Sequence, residues 1–224
     1  MKDYLRPVFA ILVKDLLLEL RTKDILVSMA LFGLLVIVVF NFAIDPTPGM
    51  VAAVAPGILW VSFTFGGVLG LNRSFGLEKD RGNLHGLMLA PVGRDALYFG
   101  KMLGNFVFML IVEAIVYPAF AIIFNLPLWV PGLIPIVLLA TVAISAVGTV
   151  FSAMSVNTRS REVMLPALFF PVIVPVIIGA VEATGMLLSS EDDANLIRWA
   201  TFLAVFDAVF LVICPAAFGM ILEE

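Results

Sequence analysis

Long apolar runs alternate with short polar stretches along this chain, and the runs recur six times. Each run is long enough for an α-helix to cross about 30 Å of hydrocarbon. The predicted spans are residues 25–44, 51–72, 102–124, 132–154, 164–186 and 199–222. Prolines at positions 46 and 48 end helices, so the first two spans are predicted to form a tight hairpin. The pattern predicts an all-α membrane protein with six transmembrane helices in one domain, residues 1–224.

The segment before the first span, residues 1–24, is predicted to be an amphipathic helix at the membrane interface. Its polar face carries Lys14, Asp15 and Arg21 and is interrupted by Ile11 and Leu18. An alternative is that this segment simply extends the first span, with its basic side chains reaching the headgroups. The predicted apolar face consists of Leu5, Phe9, Leu12, Val13, Leu16 and Leu20.

Composition supports this class, because 62% of the residues are hydrophobic and 13% are charged, against roughly 45–50% and 25% in soluble domains. The basic residues fall on one side of the predicted spans, and Arg198 alone falls on the other. Basic residues favour cytoplasmic loops. Both termini are therefore expected to be cytoplasmic.

A charged island, residues 73–101, separates the second and third spans. Within it Gly82 interrupts the helical pattern, Leu84 and Leu87 contribute to an apolar face, and Pro91 ends a short predicted helix. Such a helix, parallel to the membrane, suits docking of a cytosolic partner. The alternative is an interfacial helix that rests on lipid.

The chain lacks the residues that several kinds of chemical site require. The chain has no G-x-x-x-x-G-K-[ST] loop, so it is not expected to hydrolyse a nucleotide alone. Its single histidine, His85, lies on the island, and its single cysteine, Cys214, lies within an apolar run. We therefore expect no metal site, no catalytic residues and no directly bound cofactor. No basic surface supports nucleic-acid binding.

Ionisable residues inside the predicted spans are the remaining candidates for chemistry. Glu113, Glu182 and Asp207 fall in the third, fifth and sixth spans, and Asn105 lies near the start of the third. A charge in hydrocarbon costs about 2.5–3.5 kcal/mol on insertion scales, so each carboxyl should face protein or a cavity. Glu113 could serve a substrate or proton pathway, or could bond across a helix pair; both alternatives stay open. Glu182 could lie close enough to the external surface to be hydrated.

Small residues and prolines mark two further features. Gly66, Gly67 and Gly70 form a small-residue face on the second span, which favours a dimer contact slightly over packing within the chain. The fifth span carries prolines that each remove a helix hydrogen bond, so a kink or partial break is predicted, and with it a hinge. These prolines are Pro166, Pro171 and Pro175.

The island reads E-x-x-x-G-x-L, then proline, then Gly100-Lys101 at the start of the third span. Together with the six-span layout and the N-terminal interfacial segment, this resembles the permease subunits of ABC-2 type transporters. The short chain and the Leu87-Met88-Leu89-Ala90-Pro91 stretch resemble the haem exporter B (CcmB) branch, which belongs to the cytochrome c maturation system.

The resemblance implies a half-transporter in the bacterial inner membrane that pairs with a second copy and binds a cytoplasmic ABC ATPase, which carries ATP and Mg²⁺. It further implies haem-handling membrane subunits and a periplasmic haem chaperone as partners. Whether haem crosses this subunit or the chaperone is released stays open, although the lack of an intramembrane histidine favours release. The implied ATPase-coupling residues are Glu78, Arg81, Gly82, Asn83, Leu84 and Pro91.

Three alternatives stand beside this interpretation. The first is an ABC-2 exporter of lipid, polysaccharide or drug. The second is a proton-coupled secondary carrier that uses Glu113 and Asp207. The third is a scaffold without transport activity.

Overall fold

The computed structural model describes residues 2–44, 47–80, 93–156, 158, 160–189 and 193–221. Within these ranges the regular structure is helical, and six of the helices are long and apolar enough to cross a membrane. The predicted all-α, six-span architecture is therefore confirmed. The helices are α1 (Lys2–Thr22), α2 (Asp24–Ala43), α3 (Pro48–Asp80), α4 (Arg94–Ile123), α5 (Leu133–Val156), α6 (Arg161–Ser189) and α7 (Asp193–Ile221).

The helices on either side of the charged island are longer than the predicted spans. Helix α3 continues to Asp80 and α4 already begins at Arg94, whereas the spans were predicted to end at residue 72 and to begin at residue 102. Hydropathy detects only the apolar part of a helix, while good helix formers such as Leu, Glu and Lys extend it into the polar zone. Much of the island therefore consists of helix ends.

Helix α5 is the centre of the bundle and packs against α3, α4, α6 and α7. In its apolar stretch 67% of the residues are buried, against 22% in α2. Small residues such as Ala143, Ala146 and Gly148 line it, which lets neighbouring backbones approach closely. Polar ties add to this packing: Ser152 donates to the Leu71 carbonyl at 2.6 Å, and Asn105 donates to Thr149 at 2.9 Å.

The start of α2 and the ends of α3 and α7 lie together with the start of α4. Arg73 on α3 donates to the carbonyl of Asp24 at 3.3 Å, and Arg94 donates to the carbonyl of Gly219 at 3.1 Å. We call this end of the bundle, where α2 and α4 begin, the basic end. The charged island connects to the bundle here.

Helix α1 packs against α4 through a face that the helical wheel did not predict. Val8, Ile11 and Glu19 are buried, so Ile11, which was expected to interrupt a polar face, is part of the face that packs against the bundle. The apolar stripe on the other side is exposed, as expected for a helix that meets lipid. This stripe consists of Leu5, Phe9, Val13, Leu17 and Leu20.

Helix α6 is continuous from Arg161 to Ser189 and contains Pro166, Pro171 and Pro175. The predicted partial break is therefore wrong. A proline removes one backbone hydrogen bond, which neighbouring helices in a packed bundle can compensate. The hinge role of these residues stays a prediction.

Candidate functional site

A buried ion pair joins three helices at the basic end. Lys101 on α4 is 1% exposed, and its Nζ lies 3.0 Å from Oδ2 of Asp15 on α1, whose side chain is 11% exposed. The same Nζ lies 5.3 Å from the ring centroid of Phe75 on α3, a cation–π distance. Gly100-Lys101 was predicted to belong to the partner-facing island. That interpretation is wrong, because Lys101 points into the bundle and ties it together.

Gly100 supplies the close approach that this ion pair needs. A methyl group added at Gly100 would lie 2.8 Å from Ile11 Cβ and 3.1 Å from the carbonyl oxygen of Val8. Neither of these atoms can move without moving the α1 backbone. The Gly-Lys pair therefore acts as a contact between α1 and α4.

Glu19 fixes the junction between α1 and α2. Its Oε1 accepts hydrogen bonds from the backbone N–H groups of Ile25 at 2.8 Å and Leu26 at 2.9 Å, which are among the unpaired donors at the start of α2. Lys23, between the helices, adopts a left-handed conformation with φ of 58°. Sequence reasoning missed this role. The acid stands six residues before the first donor that it caps, so the usual capping spacing gave no signal.

The ends of α3 and α4 that lead into the island also contact α5 and α7. Tyr98 on α4 donates to the carbonyl of Ala146 at 3.1 Å, and its ring packs against Phe218 on α7 at 5.5 Å between centroids. Phe218 in turn lies 6.2 Å from the ring of Phe75. Both helices that enter the island are therefore anchored in the bundle.

The predicted coupling residues themselves lie mostly outside the described part of the chain. Glu78 belongs to the last turns of α3, but its side chain is not described. The others, together with His85, fall in the range 81–92, which lies outside the described residues. The assignment stays a prediction. It concerns Arg81, Gly82, Asn83, Leu84 and Pro91.

Glu113 lies at the edge of an apolar groove between α4 and α5. Its side chain is 5% exposed, and Thr141 on α5 lies 2.9 Å from its Oε1 and 3.0 Å from its Oε2. The groove has a volume of about 380 Å³ and is lined by Tyr117, Trp129 and other residues far from the basic end. The carboxyl thus bonds across a helix pair, which is the geometry of the structural alternative.

The other two intramembrane carboxyls differ in exposure. Asp207 on α7 is 6% exposed, and its Oδ1 has no hydrogen-bond partner among the described residues. Glu182 on α6 has an exposed side chain, and its hydration stays a prediction. Within the described ranges, Asp207 and Glu113 make no contact with each other that would support a shared proton pathway.

The glycine face of α3 packs inside the chain. Methyl groups added at Gly66 and Gly70 would meet Met29 of α2, at 3.2 Å from its carbonyl oxygen and 2.5 Å from its sulfur. At Gly67 a methyl group would lie 2.5 Å from Met109 Cε of α4. The dimer contact that the sequence slightly favoured is therefore wrong for this face. Neighbouring helices within the chain already occupy it.

Known proteins are similar in sequence to this chain over almost its whole length. The family model described as CcmB protein matches residues 6–224, which run from α1 through α7. The chain belongs to the CcmB protein family. This CcmB-family chain is 30% identical over 209 residues to "Heme exporter protein B" of Paracoccus denitrificans, covering 93% of this chain and 94% of the relative. It is 31% identical over 177 residues to the protein of that name from Rhodobacter capsulatus, covering 77% and 80%.

A third CcmB-family relative has a comparable span. "Heme exporter protein B" of Pseudomonas aeruginosa is 27% identical over 211 residues, covering 92% of each chain. The predicted family resemblance is therefore confirmed. The similarity extends over α1, the island and the six span-length helices, and is not confined to one segment.

Proposed function

We propose that this chain is the membrane permease subunit of an ABC transporter complex for cytochrome c biogenesis. The proposed partners are a cytoplasmic ABC ATPase, a second copy of the chain, haem-handling membrane subunits and a periplasmic haem chaperone. The complex lies in the bacterial inner membrane, with both termini of this subunit cytoplasmic. The chain is not itself an enzyme, since ATP and Mg²⁺ bind to the ATPase.

The observation that carries the proposal is the match of the CcmB family model over residues 6–224 of a chain with six span-length helices. The names of the relatives support haem export as the process. The geometry of the basic end supports the coupling role, because a segment that receives force must be firmly attached to the helices that move.

The proposed mechanism follows from those attachments. The ATPase binds the island through the predicted coupling residues and moves when it binds and hydrolyses ATP. Because Lys101 ties α4 to α1 and to Phe75 of α3, displacement of the island moves these helices together. The movement then drives either haem export or release of the haem-loaded chaperone.

Co-purification tests the proposal. The tagged chain is expressed with the proposed ABC ATPase partner, and we expect a stoichiometric complex in detergent. The double variant Glu78→Ala/Arg81→Ala should lose the ATPase while inserting normally into the membrane. The matched control is Arg198→Ala, a basic residue predicted to lie on the other side of the membrane, which should retain the ATPase.

Two results would overturn the proposal. One is unchanged ATPase recovery with the Glu78→Ala/Arg81→Ala variant, which would remove the coupling assignment. The other is substrate transport by the purified chain alone under a proton gradient, which would indicate a secondary carrier. Normal cytochrome c maturation with an ATPase-inactive complex would instead favour a scaffold.

A further inference from the structure

A second groove lies over α3, between α2 and α6 at the basic end, and shares no lining residue with the groove at Glu113. Helices α2 and α6 both pack on α3, but over their described residues they have no backbone contact with each other. The gap between them has a volume of about 670 Å³, within the range of about 300–1,000 Å³ that is typical of ligand sites. We call it the Arg73 groove, after the arginine in its lining.

The Arg73 groove is apolar at one end and charged at the other. Its apolar end is a row of three phenylalanine rings, one from each helix, whose neighbouring centroids lie 6.3 Å and 5.1 Å apart. These residues are Phe32, Phe65 and Phe170. Phe65 is 41% exposed, so its ring still offers apolar surface. Arg73 follows Phe65 by eight residues on the same helix, which places the charged end about 12 Å away, towards the basic end of the bundle.

Two opposite charges face this groove without pairing with each other. Arg73 on α3 and Glu162 in the first turn of α6 both line it, and among the described residues neither side chain forms an ion pair. Arg73 donates one N–H to the Asp24 carbonyl at 3.3 Å, and a guanidinium has five, so donors remain for an anion. The carboxylate of Glu162 accepts hydrogen bonds and attracts a cation. A zwitterion that lies between the two residues would satisfy both.

Asn72 adds a further acceptor to the lining. Its Oδ1 is buried and receives no hydrogen bond from the described residues. A buried acceptor without a donor costs free energy, so a ligand that brings N–H donors to this end of the groove gains more than one that brings none.

From this arrangement we infer that the Arg73 groove binds one phospholipid with a primary-amine, zwitterionic headgroup, of the phosphatidylethanolamine class. The phosphate accepts from Arg73, the ammonium donates to Glu162 and to Asn72, and an acyl chain lies along the phenylalanine row. A choline headgroup has no N–H donor, and a glycerol headgroup has no cation for Glu162. This lipid site is independent of the proposed function, because the lipid fills the gap between α2 and α6 and is not a transported molecule.

Native mass spectrometry of the delipidated chain in detergent tests this site. The chain is titrated separately with the dioleoyl forms of phosphatidylethanolamine, phosphatidylcholine and phosphatidylglycerol, and the affinity for the first bound lipid is measured. We expect the ethanolamine lipid to bind about fivefold more tightly than either of the other two, the effect of a charge-assisted hydrogen bond at a partly hydrated site.

Substitutions then separate the contact with the amine from the contact with the phosphate. Glu162→Gln should lower the affinity for the ethanolamine lipid to about that for the choline lipid, whose own affinity should not change, and Asn72→Leu should act in the same direction. Arg73→Gln should weaken both zwitterionic lipids by about threefold to fivefold, because both carry the phosphate. The matched control is Arg94→Gln, which removes an arginine that also donates to a helix carbonyl at the basic end but lies outside the groove. It should leave all three affinities unchanged.

Four results would overturn the lipid site. They are equal affinity for the ethanolamine and choline lipids, selectivity that survives Glu162→Gln, tighter binding of the glycerol lipid, and equal weakening in the Arg94→Gln control. Loss of the bound lipid from a dimeric species would overturn it as well, because a second copy would then cover the groove. Failure of the proposed function is a separate result, since the Glu78→Ala/Arg81→Ala variant should bind the lipid normally whether or not it binds the ATPase.

Discussion

The basic end and the opposite half of the bundle are held together by different interactions. At the basic end, Asp15 and Lys101 form a buried ion pair, Glu19 caps α2, and arginine side chains bond to the carbonyls of neighbouring helices. In the opposite half, α4 and α5 face an apolar groove that Glu113 helps to line, and Glu113 is hydrogen-bonded to Thr141.

This difference matters because the hydrophobic effect does not drive helices together in lipid, where the hydrocarbon is as apolar as leucine. Packing and polar ties then determine which helices stay together. The helices at the basic end should move as a unit, whereas α4 and α5 can separate more easily at the groove. The comparison thus predicts that the basic end, to which the charged island connects, is stiff and that the opposite half of the bundle is more deformable.

Removal of Lys101 should have the largest effect. Lys101→Met leaves the Asp15 carboxylate without its buried partner, and loss of one partner of a buried pair typically costs about 3–5 kcal/mol. We expect a loss of about 3 kcal/mol, at the low end of this range, because Lys14 also lies 3.2 Å from Asp15. The midpoint of thermal unfolding in detergent measures the loss, and ATPase stimulation by the chain should fall with it.

Two further variants show whether loss of the ion pair causes the lower stability of Lys101→Met. Lys14→Met removes the exposed partner of the same carboxylate and should change the unfolding midpoint little. Asp15→Leu/Lys101→Met removes both buried charges and should recover much of the stability. If the double variant is as unstable as Lys101→Met, the pair does not hold the basic end together.

The second effect in size should come from Gly100. Gly100→Val places side-chain atoms against Ile11 and the Val8 carbonyl, and overpacking of this kind costs about 1–3 kcal/mol. Helix α1 should then separate from α4, which a lower midpoint of thermal unfolding in detergent would detect. Gly219→Val is the control, since nothing lies within 4 Å of a methyl group added there.

The sequence predicted the helices well and the contacts between them poorly. Apolar runs are long and local, so all six spans could be found from hydropathy. Lys101 looked like a surface residue because it borders a charged island, and Ile11 looked like an interruption on the wheel. Both errors have one cause: a single sequence does not indicate which face of α1 meets α4. That choice depends on Gly100, whose missing side chain becomes meaningful only when α1 lies against it.

Thr141→Val should have a smaller effect than either change at the basic end. The substitution keeps the side-chain volume but leaves the Glu113 carboxyl without its hydroxyl partner. Interhelical hydrogen bonds in membranes average about 0.6 kcal/mol, so a loss of about 1 kcal/mol or less is expected. Thermal unfolding beside the matched change Thr201→Val, at an exposed position of α7, measures it. A loss as large as that for Lys101→Met would contradict the proposed difference between the two regions.

Glu113→Gln should have the smallest effect, because an amide can still pair with the Thr141 hydroxyl across α4 and α5. If the carboxyl serves only to join these helices, assembly, stability and cytochrome c maturation should all stay close to those of the parent chain. Maturation in cells and the unfolding midpoint of the purified chain are the two measurements. Complete loss of maturation with normal assembly would mean that the negative charge itself is needed. In that case the groove would be part of the mechanism, and the opposite half of the bundle would carry chemistry as well as flexibility.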